Sequence, residues 1–318
     1  MGLATRLSRG WRSRIKYLLV ALVGGCLIVV VILSLGIVGG GIQPKRDASY
    51  ENYQSSSTGD VLAVIVPFRD RFEELLSFAP HIHRFLSAQR VAHTIWLVNQ
   101  VDEFRFNRAS LINIGFIEAT KNNPTVNYMA MHDVDLLPLN DKLPYGHPGV
   151  GNAVHVASLH PKYNYASFIG GILILDVTDF QRVDGMSNIY WGWGLEDDEF
   201  WLRLKHNGIK VKRANKGLGT GRKDTFSHIH SPKLRVRDRA KCFDQWEKTR
   251  KRDRATGLRN VNYTLLSQVE MSVEDAHLTV LNVRLHCDRE LTPWCQCPDP
   301  VNNNNTLSNN NNQPPRQH

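Results

Sequence analysis

The chain has 318 residues, 42% hydrophobic and 22% charged, which is the balance of a globular protein with enough apolar matter for a sizeable core. Its formal net charge is +9, but five cations, Arg6, Arg9, Arg12, Arg14 and Lys16, fall in the first sixteen residues with no acid among them. The rest carries 34 basic against 30 acidic residues, so the charge argues for no nucleic-acid partner.

From Tyr17 to Ile42 run 26 residues without a charge, more than the roughly 20 needed for a bilayer-crossing helix. A cleaved signal peptide has a shorter apolar stretch, so residues 17–42 read as an uncleaved signal-anchor, the chain's single membrane span. Residues 1–16 then form a cytoplasmic tail and everything past Ile42 lies on the far side, which is type II topology. Residues 43–60, polar and poor in apolar groups, read as a stem. The folded domain is expected over 61–298, and 299–318 is an Asn-rich tail that cannot build a core.

Within the domain, Val61–Val66 has the pattern of a buried strand stopped by Pro67. Helical spacing follows from Glu73 to Gln89 with a kink expected at Pro80, then a strand at His93–Val98, a helix at Arg108–Ala119 and a strand at Tyr128–His132 that runs into Asp133. This alternation predicts an α/β sheet with ligands at the carboxyl ends of its strands. Farther on, a strand is expected at Phe168–Leu175, a helix at Glu199–His206 closed by Asn207-Gly208, and a strand at Ile209–Lys212. No internal repeat or second boundary is visible.

Cys26 lies in the span, whereas Cys242, Cys287, Cys295 and Cys297 lie on the oxidising side, where two disulfides are expected. Of the three pairings, the locally confined Cys-Gln-Cys favours Cys242–Cys287 with Cys295–Cys297. The competing reading, a zinc site, lacks a second cysteine pair at ligand spacing. Asn262-Tyr263-Thr264 and Asn304-Asn305-Thr306 are glycosylation sequons on the same side.

Three motifs carry chemistry. Asp133-Val134-Asp135, at the end of a strand, offers an oxygen-rich cation site of the sort that neutralises a departing diphosphate, although isolated DxD occurs often as plain loop. His228-Ile229-His230 puts two imidazoles on one face of an extended chain, and imidazole with carboxylate suits Mn2+ better than Mg2+ or Ca2+. Glu196-Asp197-Asp198-Glu199 can be read as acids favoured in a first helical turn. That reading leaves unexplained the preceding Trp191-Gly192-Trp193-Gly194, which offers aromatic faces for a sugar ring and glycine hinges. A carboxylate beside a stacked sugar can take a proton from a hydroxyl. Pro67-Phe68-Arg69-Asp70-Arg71 and Phe106-Asn107-Arg108 follow the first two strands, where Arg and Asn can hold a nucleotide.

Taken together and in order, PFRDR at 67–71, FNRA at 106–109, DVD at 133–135, Gly170-Gly171, WGWG-x-EDD at 191–198 and HIH at 228–230 resemble the β-1,4-galactosyltransferases, most closely the xylosylprotein 4-β-galactosyltransferase branch. The resemblance covers about Val61 to His230. It implies a GT-A glycosyltransferase fold with a Rossmann-like nucleotide-binding sheet behind the type II anchor, in the Golgi membrane with the catalytic domain lumenal. It further implies inverting, Mn2+-dependent transfer of galactose from UDP-galactose to the 4-hydroxyl of β-xylose on a proteoglycan core protein, a step of glycosaminoglycan linker synthesis.

By the same resemblance Asp135 with His228 and His230 binds the metal, and Asp197 is the catalytic base. Glu196 and Asp198 orient the acceptor, Trp193 covers the donor, and Tyr163 and Tyr165 correspond to substrate-contacting tyrosines. Pro67, Phe68, Arg69, Arg71, Phe106, Asn107, Arg108, Asp133 and Val134 lie against the donor. His-x-His in place of the Met-x-x-His of the N-acetylglucosamine-specific members, and Phe168 near an acceptor-contacting Tyr of those members, favour xylose. The rivals are an N-acetylglucosamine acceptor and, from another class, a lectin-like membrane protein without turnover. Lys233, Arg235, Arg237, Arg239 and Lys241 read as a solvated loop or as a contact for acidic residues of the core protein.

Overall fold

A computed structural model of the protein describes residues 59–298. The tail 1–16, the span 17–42 with Cys26, nearly all of the stem 43–60 and the tail 299–318 with its Asn304 sequon lie outside the described residues. Among the described residues no helix is long and apolar enough to cross a membrane.

The first half alternates as its sequence suggests: β1 (Val61–Phe68), α1 (Phe72–Ala88), β2 (Ala92–Gln100), α2 (Arg108–Asn122) and β3 (Val126–His132). β1 pairs parallel with β2 on one side and β3 on the other, and its side chains alternate between two cores. Leu62, Val64 and Val66 pack with Leu75, Phe78 and Ile82 of α1; Ala63 and Ile65 pack with Ile112 and Phe116 of α2. Helices thus cover both faces of the sheet, and a central strand buried on both faces reads as one apolar run.

The remaining strands are β4 (Leu136–Pro138), β5 (Asn152–His155), β6 (Ile172–Asp176), β7 (Lys210–Arg213), β8 (Phe226–His228), β9 (Tyr263–Val273) and β10 (Ala276–Leu285), with α3 (Val177–Arg182), α4 (Glu196–His206) and α5 (Gln245–Thr249) among them. The main sheet runs β7-β5-β6-β3-β1-β2-β10-β9, and β4 pairs with β8 in a separate two-stranded ribbon.

Four expectations change. Pro67 does not end β1, which continues to Phe68; β3 stops pairing at Ile65, so the missing N–H of Pro67 breaks no bond on that side. Phe168–Gly171 is irregular, and strand pairing begins only at Ile172. The helix expected from Glu199 starts at Glu196, and Pro80 lies inside the helix expected around it. The cysteines pair Cys242–Cys297 and Cys287–Cys295, with Cα separations of 5.7 and 6.2 Å, in place of the expected pairing. Cys295 is fully buried at the end of a short 3-10 turn, where it meets Cys287 just after β10, while Cys297 emerges one residue past extended Gln296 toward Cys242. The C-terminal hairpin β9–β10 was not anticipated: β10 joins β2 in parallel register, so the chain's end completes the sheet begun at its start.

Candidate active site

Asp133-Val134-Asp135 occupies the turn from β3 into β4. Val134 is buried in the core on the α1 side, and the flanking carboxylates part company. Asp133 donates its backbone N–H to the Gly171 carbonyl and accepts from Arg108; Asp135 faces two histidines. The ribbon sets this up, because Leu136 stands opposite His228 and the Ile229 N–H donates to the Asp135 carbonyl at 2.9 Å. His230 Nδ1 lies 3.1 Å from Asp135 Oδ2, and His228 Nε2 lies 3.9 Å from Oδ1. The imidazoles are roughly parallel, 5.5 Å apart.

Burial, reinforced by Lys162 for His228 and by Arg237 for His230, pushes the two rings down to about 3 and about 4, so both are neutral with a lone pair to give. Burial and then Asp133 push Asp135 up to about 6, a cost that a cation would relieve. Among the described residues no group of three such side chains is already drawn together as a preformed metal site. One carboxylate and two neutral imidazoles within 4 Å nonetheless fit a first-row divalent ion, whose ligands sit at about 2.0–2.2 Å and so can be bridged over such separations.

The second cluster stands at the start of α4, entered through Leu195 in the left-handed region at φ 77°. Of the four acids in its first turn only Glu199 is consumed by structure: Arg203 donates to it twice, at 2.8 and 3.0 Å, in a buried pair. Asp198 accepts from Ser167 at 2.7 Å and from Tyr165 at 3.2 Å. Asp197 accepts from Arg108 at 2.9 Å, and Glu196 lies 4.0 Å from the same guanidinium. Arg108 also donates to Asp133 at 2.8 Å, so a single cation ties the nucleotide-side turn to the carboxylate cluster.

Burial works against the charge on Arg108, but Asp133, Asp197 and Glu196 outweigh it and hold the guanidinium above its ordinary range. Burial, then the charge of Asp197, pushes Glu196 up to about 7, and burial raises Asp197 against the pull of Arg108. Carboxylates poised in this way suit proton transfer near neutral pH. The chain leaves room for Asp197 by having no side chain opposite it: a Cβ on Gly170 would run into Asp197 Oδ2 and come 2.8 Å from the Phe168 ring.

Trp193 is 41% exposed, 6.4 Å from the Tyr163 ring, with Arg237 and Arg239 over its face at 5.2 and 5.0 Å. The basic stretch Lys233–Lys241 is therefore no free loop. Arg235 pairs with Glu73 and Glu74, and Asp238 accepts from Arg105 at 2.6 and 2.9 Å while its carbonyl takes the Trp193 N–H at 2.8 Å. The stretch forms a strap across the mouth. Gly192 permits this: at φ +82° it lies so close to Arg105 that any side chain would displace the guanidinium.

The other residues expected at the donor also make contacts within the protein. Arg69 donates to the carbonyls of Gln100, Asp102 and Phe104 and so shapes the loop after β2. Asn107 is fully buried as the cap of α2, accepting from the Ser110 N–H and donating to the Asn188 carbonyl. Phe68 is buried, Phe106 lies under Arg69 at 5.8 Å, and Pro67 belongs to β1. Arg71 stays close enough to Asp135 to lower its proton affinity. Arg105, Ser167 and His160, whose ring is 5.3 Å from that of His228, join the site without belonging to any of the motifs. Arg105 could have been suspected from Arg-Phe-Asn-Arg, with an arginine on each side of the cap; nothing local marked the other two.

The model of the N-terminal region of glycosyl transferase group 7 matches residues 45–147, and that of the N-terminal domain of galactosyltransferase matches 152–230. Beta-1,4-galactosyltransferase 7 of Drosophila melanogaster is 51% identical over 257 residues, 80% of this chain and 79% of that one. Xylosylprotein 4-beta-galactosyltransferase of Caenorhabditis elegans is 49% identical over 240 residues, 74% of this chain and 82% of that one. The crystal structure of a mutant of the Drosophila enzyme, in complex with manganese, UDP-Gal and xylobiose, superposes with a TM-score of 0.73 at 53% identity, covering 75% of this chain and 100% of that one.

Proposed function

The chain belongs to the β-1,4-galactosyltransferases and has their mixed α/β GT-A catalytic fold, and from this premise we propose that it transfers galactose from UDP-galactose to the 4-hydroxyl of β-xylose on a core protein, with Mn2+ as cofactor and inversion at the anomeric carbon. The observation that carries the reading is Arg108, which joins a turn bearing a metal-ligand set to a carboxylate set suited to a base.

Asp135, His228 and His230 would hold the Mn2+, which supplies neutralisation of the charge developing on the departing diphosphate. Asp197 takes the proton of the acceptor hydroxyl as its oxygen forms the bond to the anomeric carbon and the bond from that carbon to the UDP oxygen breaks. Arg108 favours the ionised form of Asp197 that this requires. Glu196 and Asp198, the latter steadied by Ser167 and Tyr165, orient the acceptor ring, and Trp193 with Tyr163 gives it aromatic faces. Xylose is favoured over N-acetylglucosamine by the His-x-His pair and by relatives about half identical whose names or structures specify xylose, against 33% for beta-1,4-galactosyltransferase 1 of Mus musculus.

We further assign residues 61–298 to the catalytic domain, held in the Golgi lumen by a single type II span at 17–42. The deciding experiment measures UDP release from UDP-galactose with a β-xyloside, an N-acetylglucosaminide or no acceptor, with Mn2+ present or chelated. Release that needs both Mn2+ and the xyloside is expected. Equal release with no acceptor, or release indifferent to chelation, would sink the reading.

A further inference from the structure

The described residues carry their positive excess in one place. Residues 231–254 hold ten Lys and Arg against four Asp and Glu, whereas the other described residues hold 21 against 23. Internal pairing consumes only part of this excess, through Arg235 with Glu73 and Glu74. Arg105 takes Asp238, and the buried Arg203 stands 3.7 Å from Asp253, which also accepts from Ser187 and Thr256. Lys233, Lys241, Lys248, Lys251 and Arg254 are exposed, and the exposed Lys248–Asp244 pair at 3.8 Å is worth little. Large apolar groups stand among them: Leu234 is 77% exposed, Val236 81%, Phe243 62% and Trp246 52%. Cationic, partly aromatic surface of this kind fits an anionic chain with some apolar character.

Its position tells what that chain is attached to. The surface begins at the mouth, where Arg237 and Arg239 lie over Trp193, and continues through Cys242 into α5. Gln245 of α5 donates to the Trp191 carbonyl and accepts from Arg105, so α5 is fastened to the tryptophan loop that borders the acceptor carboxylates. The surface thus adjoins the proposed acceptor site, and a polypeptide carrying the acceptor sugar comes within reach of it.

We propose that residues 231–254 dock the polypeptide bearing the acceptor sugar, and that the polypeptide they fit is acidic. This rests on the reading of the site as one that glycosylates a protein-linked sugar. The full-length enzyme is offered xylosylated peptides of equal length whose flanks are acidic or neutral, beside a small β-xyloside. The acidic peptide is expected to have a kcat/KM about tenfold above the neutral one at low salt, with the advantage shrinking as salt is raised. Lys248→Glu with Lys251→Glu should erase that advantage and leave the small xyloside within about twofold, while Lys248→Arg with Lys251→Arg should keep it. Equal turnover of the two peptides by the unmodified enzyme overturns the proposal. So does a charge reversal that lowers binding to phosphatidylserine vesicles yet spares peptide discrimination, which would assign the surface to a membrane. Transfer to no xyloside at all is a different failure, that of the functional reading itself.

Discussion

Arg108 shows how much one side chain can organise. It bonds to Asp133 and Asp197 at once and draws the Asp197 carboxyl, which burial raises, back toward its ionised form, in a site that must bind a polyanionic donor. The base assigned to Asp197 makes a direct demand: Asp197→Asn keeps shape and removes proton affinity, so kcat should fall by about 10²–10⁴-fold while calorimetric affinity for UDP with Mn2+ is nearly unchanged. Normal turnover would refute the assignment. Glu196 makes a second. Its carboxyl is raised from 4.5 to about 7, so the neutral form is the one the fold favours; the resulting stability is fully present below pH 4.5 and is lost as pH rises through 7. Glu196→Gln should therefore melt close to the unmodified protein at pH 4.5 and higher than it at pH 8, both ligand-free. A gap that does not widen with pH would mean that Glu196 is not held neutral by its surroundings.

At the scale of elements, the proposed metal ligands converge because β4 and β8 pair, and the strap lies where it does because Cys242 is bonded to Cys297 across 55 residues of sequence. Closing a loop of that length is worth about 4 kcal/mol in the chain-entropy account. Cys242→Ser with Cys297→Ser should lower the melting temperature by several degrees and raise KM for the acceptor, whereas a strap indifferent to its tether would leave KM alone. Much of this level could be read from the sequence. β1 to β3 with α1 and α2 follow from apolar runs and spacing, and Asp197 follows from a tryptophan-glycine run that a helix cap does not need. What stayed hidden depends on contacts distant in the chain. The Gly170-Gly171 segment looks like strand until Asp197 is placed against it, and the capping of α2 by Asn107 shows only once the start of that helix is fixed. β9 is largely exposed with mixed side chains, the buried apolar residues of β10 find their partner strand β2 far back in the sequence, and the disulfides follow from where β10 ends.

For the whole molecule, the proposed orientation separates a cytoplasmic tail of five cations from a lumenal domain whose positive excess sits beside its mouth. Asn262 reports on that orientation, since the residue is exposed just before β9 and Thr264, also exposed, completes the sequon. Full-length protein made in secretory-pathway cells should lose a glycan-sized mass on peptide N-glycosidase treatment, and Asn262→Gln should remove that part of the shift. A catalytic domain digested by protease added outside sealed vesicles would reverse the topology. The strap has a mechanical consequence in such an enzyme. Residues 231–241 run between His230 and Cys242, two anchors of different kind, one covalent through its disulfide and the other a histidine at the cation site. Between them the Arg235 pair with Glu73 and Glu74 and the Asp238 contacts to Arg105 and Trp193 hold it down, within a contour of about 40 Å. Its weaker end is the His230 hydrogen bond to Asp135, and a cation bound there as proposed would tighten that end. The tension in the strap would then register whether the donor side is loaded before any acceptor arrives.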